Sequence, residues 1–92
     1  MIRLQGIVKG KVQGVGFRHF VKMEAAEHEI KGWVRNLSDG TVEFEAEGPE
    51  GNVDEFVAAL EQGQRPAKVD SVETNKIQPL ENEKGFRQRS TR

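Results

Sequence analysis

Two side chains stand out for the chemistry they can do, Arg18 and Asn36. Arg18 closes the stretch Gly10-Lys11-Val12-Gln13-Gly14-Val15-Gly16-Phe17-Arg18. An apolar run precedes this stretch and an amphipathic run follows it, so it reads as a loop from a strand into a helix N-terminus. Gly14 and Gly16 leave the neighbouring N–H groups unscreened and can adopt positive φ. Amides clustered at a helix start form a concave anion trap. A guanidinium there adds a fixed positive fork, so the chemistry suggested is phosphate binding. Asn36 brings a neutral amide with both a donor and an acceptor, which can hold a water molecule beside a bound phosphate. Each feature also has an ordinary explanation. The glycines can serve only to relieve a tight turn, with Arg18 solvated. Asn36 can simply open the turn Leu37-Ser38-Asp39-Gly40, where asparagine is common. His19 is a tempting general base next to Arg18, but as a helix residue it is expected to point away from the loop.

The elements that must position these residues follow from periodicity. Residues 2–9 read as a strand, in which Gly6 marks a close backbone approach. Residues 10–17 form the loop and 18–29 a helix, with Phe17, Phe20, Val21, Ala25 and His28 along one face. Residues 31–37 read as a second strand, followed by a Ser38-Asp39-Gly40 turn. In residues 41–47, Val42, Phe44 and Ala46 alternate with Thr41, Glu43, Glu45 and Glu47, the pattern of an antiparallel strand with one wet face. Asn52 and Glu55 have capping-box spacing ahead of a helix over 53–62, and Gly63 supplies its stop. Residues 64–67 are a loop and 68–77 a strand, where the Val69–Val72 spacing breaks alternation as a bulge would. Residues 79–85 are polar loop. Phe86 leaves room for a short final strand, and the polar Arg87, Arg89 and Arg92 suit a frayed end better than an anion site. The order of strand, helix, strand, strand, helix, strand is that of an α+β, ferredoxin-like split βαβ sandwich. Two helices would lie on one face of a mostly antiparallel sheet of four to five strands.

Composition narrows the function. Ninety-two residues suit one domain spanning 1–92. Fourteen basic and 15 acidic residues nearly cancel, to a net charge of −1, which disfavours a general nucleic-acid binder. An RNA-binding domain of the same architecture is further disfavoured by the lack of an aromatic-rich RNP1-type strand. There is no cysteine, which removes disulfides, thiolate metal sites and cysteine nucleophiles and is compatible with a cytoplasmic location. No apolar stretch approaches the roughly 20 residues a membrane span requires. The segment Met1-Ile2-Arg3-Leu4 lacks a signal-peptide core. Neither a G-x-G-x-x-G fingerprint nor a Walker A loop is present. Glu43, Glu45 and Glu47 fit a solvated strand face better than a metal site. Trp33 and Phe20 fit the core better than a substrate platform, and Arg35 alternates to the face opposite Asn36, toward solvent or a carboxylate.

Three segments resemble the acylphosphatase family in order and separation: the Gly10–Arg18 stretch, Gly32-Trp33-Val34-Arg35-Asn36, and Asp39-Gly40-Thr41-Val42-Glu43. The resemblance covers residues 4 to 73 or so. It implies hydrolysis of small-molecule acyl phosphates to a carboxylate and inorganic phosphate, on a ferredoxin-like scaffold, with no metal or organic cofactor. It implies that Arg18 binds the substrate phosphate together with the amides of Gln13, Gly14, Val15, Gly16, Phe17 and Arg18, and that Asn36 positions the attacking water. A monomer that meets neither nucleic acid nor membrane is expected. The competing reading is a catalytically idle anion-binding or regulatory module on the same fold. The chain departs from the family pattern at His28-Glu29, where a small residue or glycine is usual, at the late proline of Gly63-Gln64-Arg65-Pro66, and in the polar Phe86-Arg87-Gln88-Arg89-Ser90. A left-handed Glu29 would cost on the order of 1 kcal/mol.

Overall fold

The computed structural model describes residues 1–92. The chain runs β1 (Ile2–Lys11), α1 (Phe17–Glu27), β2 (Lys31–Asn36), β3 (Val42–Gly48), α2 (Glu50–Gln62), β4 (Lys68–Ile77) and β5 (Phe86–Gln88). The strands lie in the order β4-β1-β3-β2-β5. All neighbours are antiparallel except β5, which runs parallel to β2. β1 and β2, joined by α1, therefore sit on either side of β3, the split βαβ arrangement expected.

Period-2 alternation decides which face each strand residue takes. Val42, Phe44 and Ala46 of β3, Leu4 and Val8 of β1 and Val34 of β2 are buried on the helical face. They pack with Phe17, Val21 and Ala25 of α1 and Val53, Phe56 and Leu60 of α2. The Phe44 ring meets Phe56 edge-on at 5.7 Å. It also lies across Gly6, where an added Cβ would come within 2.2 Å of the ring. That is the close approach Gly6 implied.

α1 ends on a Schellman turn without glycine. The Ile30 N–H donates to the Ala25 carbonyl at 2.8 Å and the Glu29 N–H to Ala26 at 3.3 Å. Glu29 supplies the left-handed residue, at φ 56°. The start of α2 differs from expectation. The helix begins at Glu50, and Pro49, not Asn52, stands at the N-cap with no side-chain cap. Pro49 already holds the extended backbone a cap needs, and its carbonyl accepts the first helical bond from Val53 at 3.0 Å. The Asn52 side chain is thereby released, and its Nδ2 donates to the His28 carbonyl at 3.1 Å, tying α2 to the end of α1. The irregularity in β4 is a bulge. Lys9 pairs with Ser71 and Gly10 with Val69, which leaves Asp70 as the extra residue.

The face away from the helices is less wet than its sequence suggests. Arg3 is 1% exposed and Glu47 4%. Arg3 donates from Nε to Glu45 at 2.8 Å, from Nη1 to Glu47 at 3.1 Å and from Nη2 to Glu83 at 3.0 Å. The Glu47 carboxylate also accepts the N–H groups of Leu80 and Glu81, at 2.8 and 3.1 Å. These bonds draw the segment between β4 and β5 across the sheet, because a buried guanidinium must find acceptors for its donors. The C-terminal end is likewise paired where fraying was expected. The Arg89 N–H donates to Val34 at 2.8 Å, Arg92 to Asn36 at 2.9 Å, and Ser38 to Arg92 at 2.8 Å. A strand edge accepts any residue with a free main chain, so the polar side chains of this segment do not prevent pairing.

Candidate active site

The loop between β1 and α1 takes its form from two left-handed glycines, Gly14 at φ 72° and Gly16 at φ 77°. An added Cβ at either would meet nothing within 4 Å, so backbone conformation and not crowding requires glycine there. Gly16 occupies the N-cap of α1, with no side chain to satisfy the first amides. Backbone hydrogen bonding resumes at Phe20, whose N–H donates to Gly16 at 3.1 Å. The N–H groups of residues 13–19 donate to no carbonyl. Free amides on a left-handed turn at a helix N-terminus attract an anion.

A cavity of ≈ 160 Å³ opens at this loop, lined by Val12, Gly14, Gly16, Phe17, Arg18, His19, Asn36 and Gln88. Arg18 and Asn36, 18 positions apart in sequence, thus share one enclosure. Phe17 anchors the helix start, being 2% exposed and tilted against Phe20 at 5.6 Å. Arg18 makes no ion pair with a carboxylate. Its Nη1 donates to the Arg89 carbonyl at 3.3 Å, a contact that directs the guanidinium without neutralising it.

Asn36 is the last residue of β2 and lies on the same face as Val34. Its main chain is held from both sides, in register with Val42 of β3 and through its carbonyl to the Arg92 N–H. Its side chain is not. The Asn36 Oδ1 is buried and has no hydrogen-bond partner. Leaving a buried acceptor unpaired costs about 1–3 kcal/mol, so such an atom is normally retained for a ligand or an ordered water.

Gln13 and Val15 of the loop do not line the cavity. The Gln13 Nε2 instead donates to the carbonyls of Leu37 and Thr41, at 2.7 and 2.8 Å. It joins the glycine loop to the turn that follows Asn36. His19 is among the residues that line the cavity and is itself exposed. The first turn of α1 carries residues 18 and 19 around the same rim. Gln88 also lines it, and nothing in its sequence context pointed there. Arg35 sits across the sheet as expected, with Glu43 at 2.7 Å from its Nη2. Trp33 shares that face and is outside the apolar core between sheet and helices; it is 8% exposed beneath the guanidinium groups of Arg35 and Arg89, at 4.8 and 4.9 Å from the ring.

The sequence model of the acylphosphatase family matches residues 4–88. An acylphosphatase of Bacillus licheniformis is 47% identical over 81 residues, covering 88% of this chain and 90% of that protein. The crystal structure of an acylphosphatase from Bacillus subtilis superposes with a TM-score of 0.90 at 44% identity, over 95% of this chain and 97% of that one. The acylphosphatase structure from Coxiella burnetii gives 0.89 at 38% identity, over 96% and 92%.

Proposed function

This chain belongs to the acylphosphatase family, and on that premise we propose which of its residues carry the reaction. The enzyme hydrolyses acyl phosphates to a carboxylate and inorganic phosphate. Water attacks phosphorus, the bond from phosphorus to the acyl oxygen breaks, and the carboxylate departs with that electron pair. The protons of the water remain on the phosphate. A carboxylate leaves easily, so no strong general acid is called for. What the reaction asks of the protein is charge stabilisation and alignment.

The phosphate is held by the amides of residues 13–18 and the Arg18 guanidinium, which grip its equatorial oxygens. The amide of Asn36 orients the attacking water. The observation that carries this reading is the buried, unpaired Oδ1 of Asn36 in the cavity that Arg18 also lines. A water on the bound phosphate would supply the hydrogen bond this oxygen lacks. The positive charge of Arg18 and the loop amides fill the electrostatic role that a metal ion has in other phosphoryl-transfer sites. The 92 residues act as one domain and as a monomer in the cytoplasm. No helix is long and apolar enough to cross a membrane.

The test is release of phosphate from benzoyl phosphate in the presence of EDTA. Turnover by the folded wild type that survives chelation, and is lost in folded Arg18→Gln, supports the assignment. Chelator-sensitive turnover, or full activity in Arg18→Gln, overturns it. An idle anion-binding module would bind inorganic phosphate and release none from the substrate.

A further inference from the structure

Arg89 belongs to a segment that the reaction does not use directly, yet its main chain touches the group that grips the phosphate. We infer that Arg89 is a positioning residue for Arg18, locked in place from the opposite face of the sheet. The inference rests on the assignment of Arg18 to the substrate phosphate.

Each part of Arg89 has its own anchor. Its N–H donates to the Val34 carbonyl at 2.8 Å, which fixes the peptide against β2. Its carbonyl accepts from the Arg18 Nη1 at 3.3 Å. Its guanidinium lies over the Trp33 ring, 4.9 Å from the centroid. A cation over an indole face is attracted by the ring quadrupole, and Trp is the strongest such partner. The ring is itself held, for Arg35 packs on it at 4.8 Å and is pinned by Glu43 at 2.7 Å. Trp33 lies across the sheet from Asn36, so the Arg89 side chain extends away from the cavity and is not a second phosphate ligand.

The chemistry favours a carbonyl at this place. A long side chain such as Arg18 loses rotamer freedom when it binds, and a site that restrains it beforehand lowers that cost. A carboxylate would restrain it more firmly but would compete with the substrate for its charge. A neutral oxygen aims the fork and leaves the charge for the phosphate.

The test is a mutant cycle read by the inhibition constant of inorganic phosphate and by the KM and kcat for benzoyl phosphate. Arg18 grips the phosphate before and during the reaction, so loosening it acts on binding more than on turnover. Arg89→Ala is expected to raise KM and the phosphate inhibition constant together, by about five- to tenfold, with kcat within about twofold of wild type. Arg89→Lys, which keeps a cation over Trp33, is expected to recover part of the loss. In an Arg18→Ala background, Arg89→Ala is expected to change neither constant further. Should Arg89→Ala fold poorly, Trp33→Phe tests the same link, since it weakens the anchor and leaves residue 89 intact; it is expected to raise both constants in the same direction.

Wild-type phosphate affinity in folded Arg89→Ala, or the same loss with and without Arg18, overturns the inference. The two assignments fail separately. If Arg18→Ala itself leaves phosphate affinity unchanged, the phosphate-gripping role is wrong. If Arg18→Ala weakens it and Arg89→Ala does not, only the positioning role is wrong.

Discussion

Arg18, in the first turn of α1, and Asn36, at the end of β2, line one cavity, the first held by a carbonyl and the second left with a buried oxygen that nothing satisfies. The unsatisfied oxygen predicts a trade of stability against turnover. Asn36→Ala removes it, so the variant is expected to be more stable than wild type by about 1 kcal/mol in phosphate-free buffer. Its turnover is expected to fall about 10²- to 10³-fold, the usual cost of removing one oriented polar group, while phosphate affinity is kept. Thermal melts beside steady-state kinetics check both halves. Normal turnover with weakened phosphate binding would refute the water-orienting role.

The glycine loop predicts a different pattern. At Gly14 and Gly16 a methyl group has open space around it but the backbone is left-handed. Gly16→Ala is therefore expected to cost about 1 kcal/mol of stability from backbone strain alone. If strain re-aims the amides, phosphate affinity falls as well, and isothermal titration with inorganic phosphate measures that loss. A variant with unchanged stability and affinity would show that the left-handed turn is not needed.

Glu29 predicts a gain. It occupies the left-handed position of the α1 Schellman turn, is exposed, and makes no hydrogen bond or ion pair through its side chain. Glu29→Gly is expected to raise stability by roughly 1 kcal/mol, the conformational cost that a non-glycine residue bears there. Urea denaturation at constant m-value checks it.

The Arg3 cluster predicts the acid limb of the stability curve. Burial alone would raise the Glu47 carboxyl, but the Leu80 N–H, the Arg3 guanidinium and the Glu81 N–H together outweigh it and hold the group below its ordinary 4.5. The unfolded chain binds a proton more readily than the folded one at this site. Its contribution to stability is thus complete above the unfolded value and is lost as pH falls through the folded value. Glu47→Gln is expected to be less stable than wild type at neutral pH and to show a shallower decline below about pH 4.5. Arg3→Met, which leaves three carboxylates without their cation, is expected to cost about 3 kcal/mol at neutral pH and to regain part of it in acid. Melting temperatures across pH check both variants. A parallel decline in wild type and Glu47→Gln would remove Glu47 from the account.

How much of this was legible in the sequence depended on how local each signal is. Gly14, Gly16 and Arg18 form one turn, and the alternation of β3 is contained in seven residues, so both could be read directly. The left-handed Glu29 and the β4 bulge also announced themselves through a missing glycine and a broken alternation. The capping box at Asn52 misled because the pattern is genuine but Pro49 starts the helix a turn earlier. Arg3, His19, Gln88 and Arg89 were illegible in another sense. Arg3 meets Glu83 80 positions away, and Arg18 meets Arg89 71 positions away. Nothing in the neighbourhood of a polar residue tells which distant acceptor the fold will bring to it. The final strand was underestimated because its affinity is carried by main-chain bonds to β2, with Phe86 alone reaching toward the core, 6.0 Å from the Phe56 ring.

The place of β1 between two strands that follow it in the chain has a consequence for how the chain folds as it is made. β1 is made before either of its neighbours, β3 and β4, which end at residues 48 and 77. Until they arrive, both of its hydrogen-bonding edges are open, along with the apolar side of Leu4 and Val8. Pairings so distant in sequence are slow to form, because loop closure precedes any reward. Until residue 48 has emerged, β1 is a naked, two-sided strand, and its solubility in that interval depends on the charges of Arg3, Lys9 and Lys11 that it carries within it.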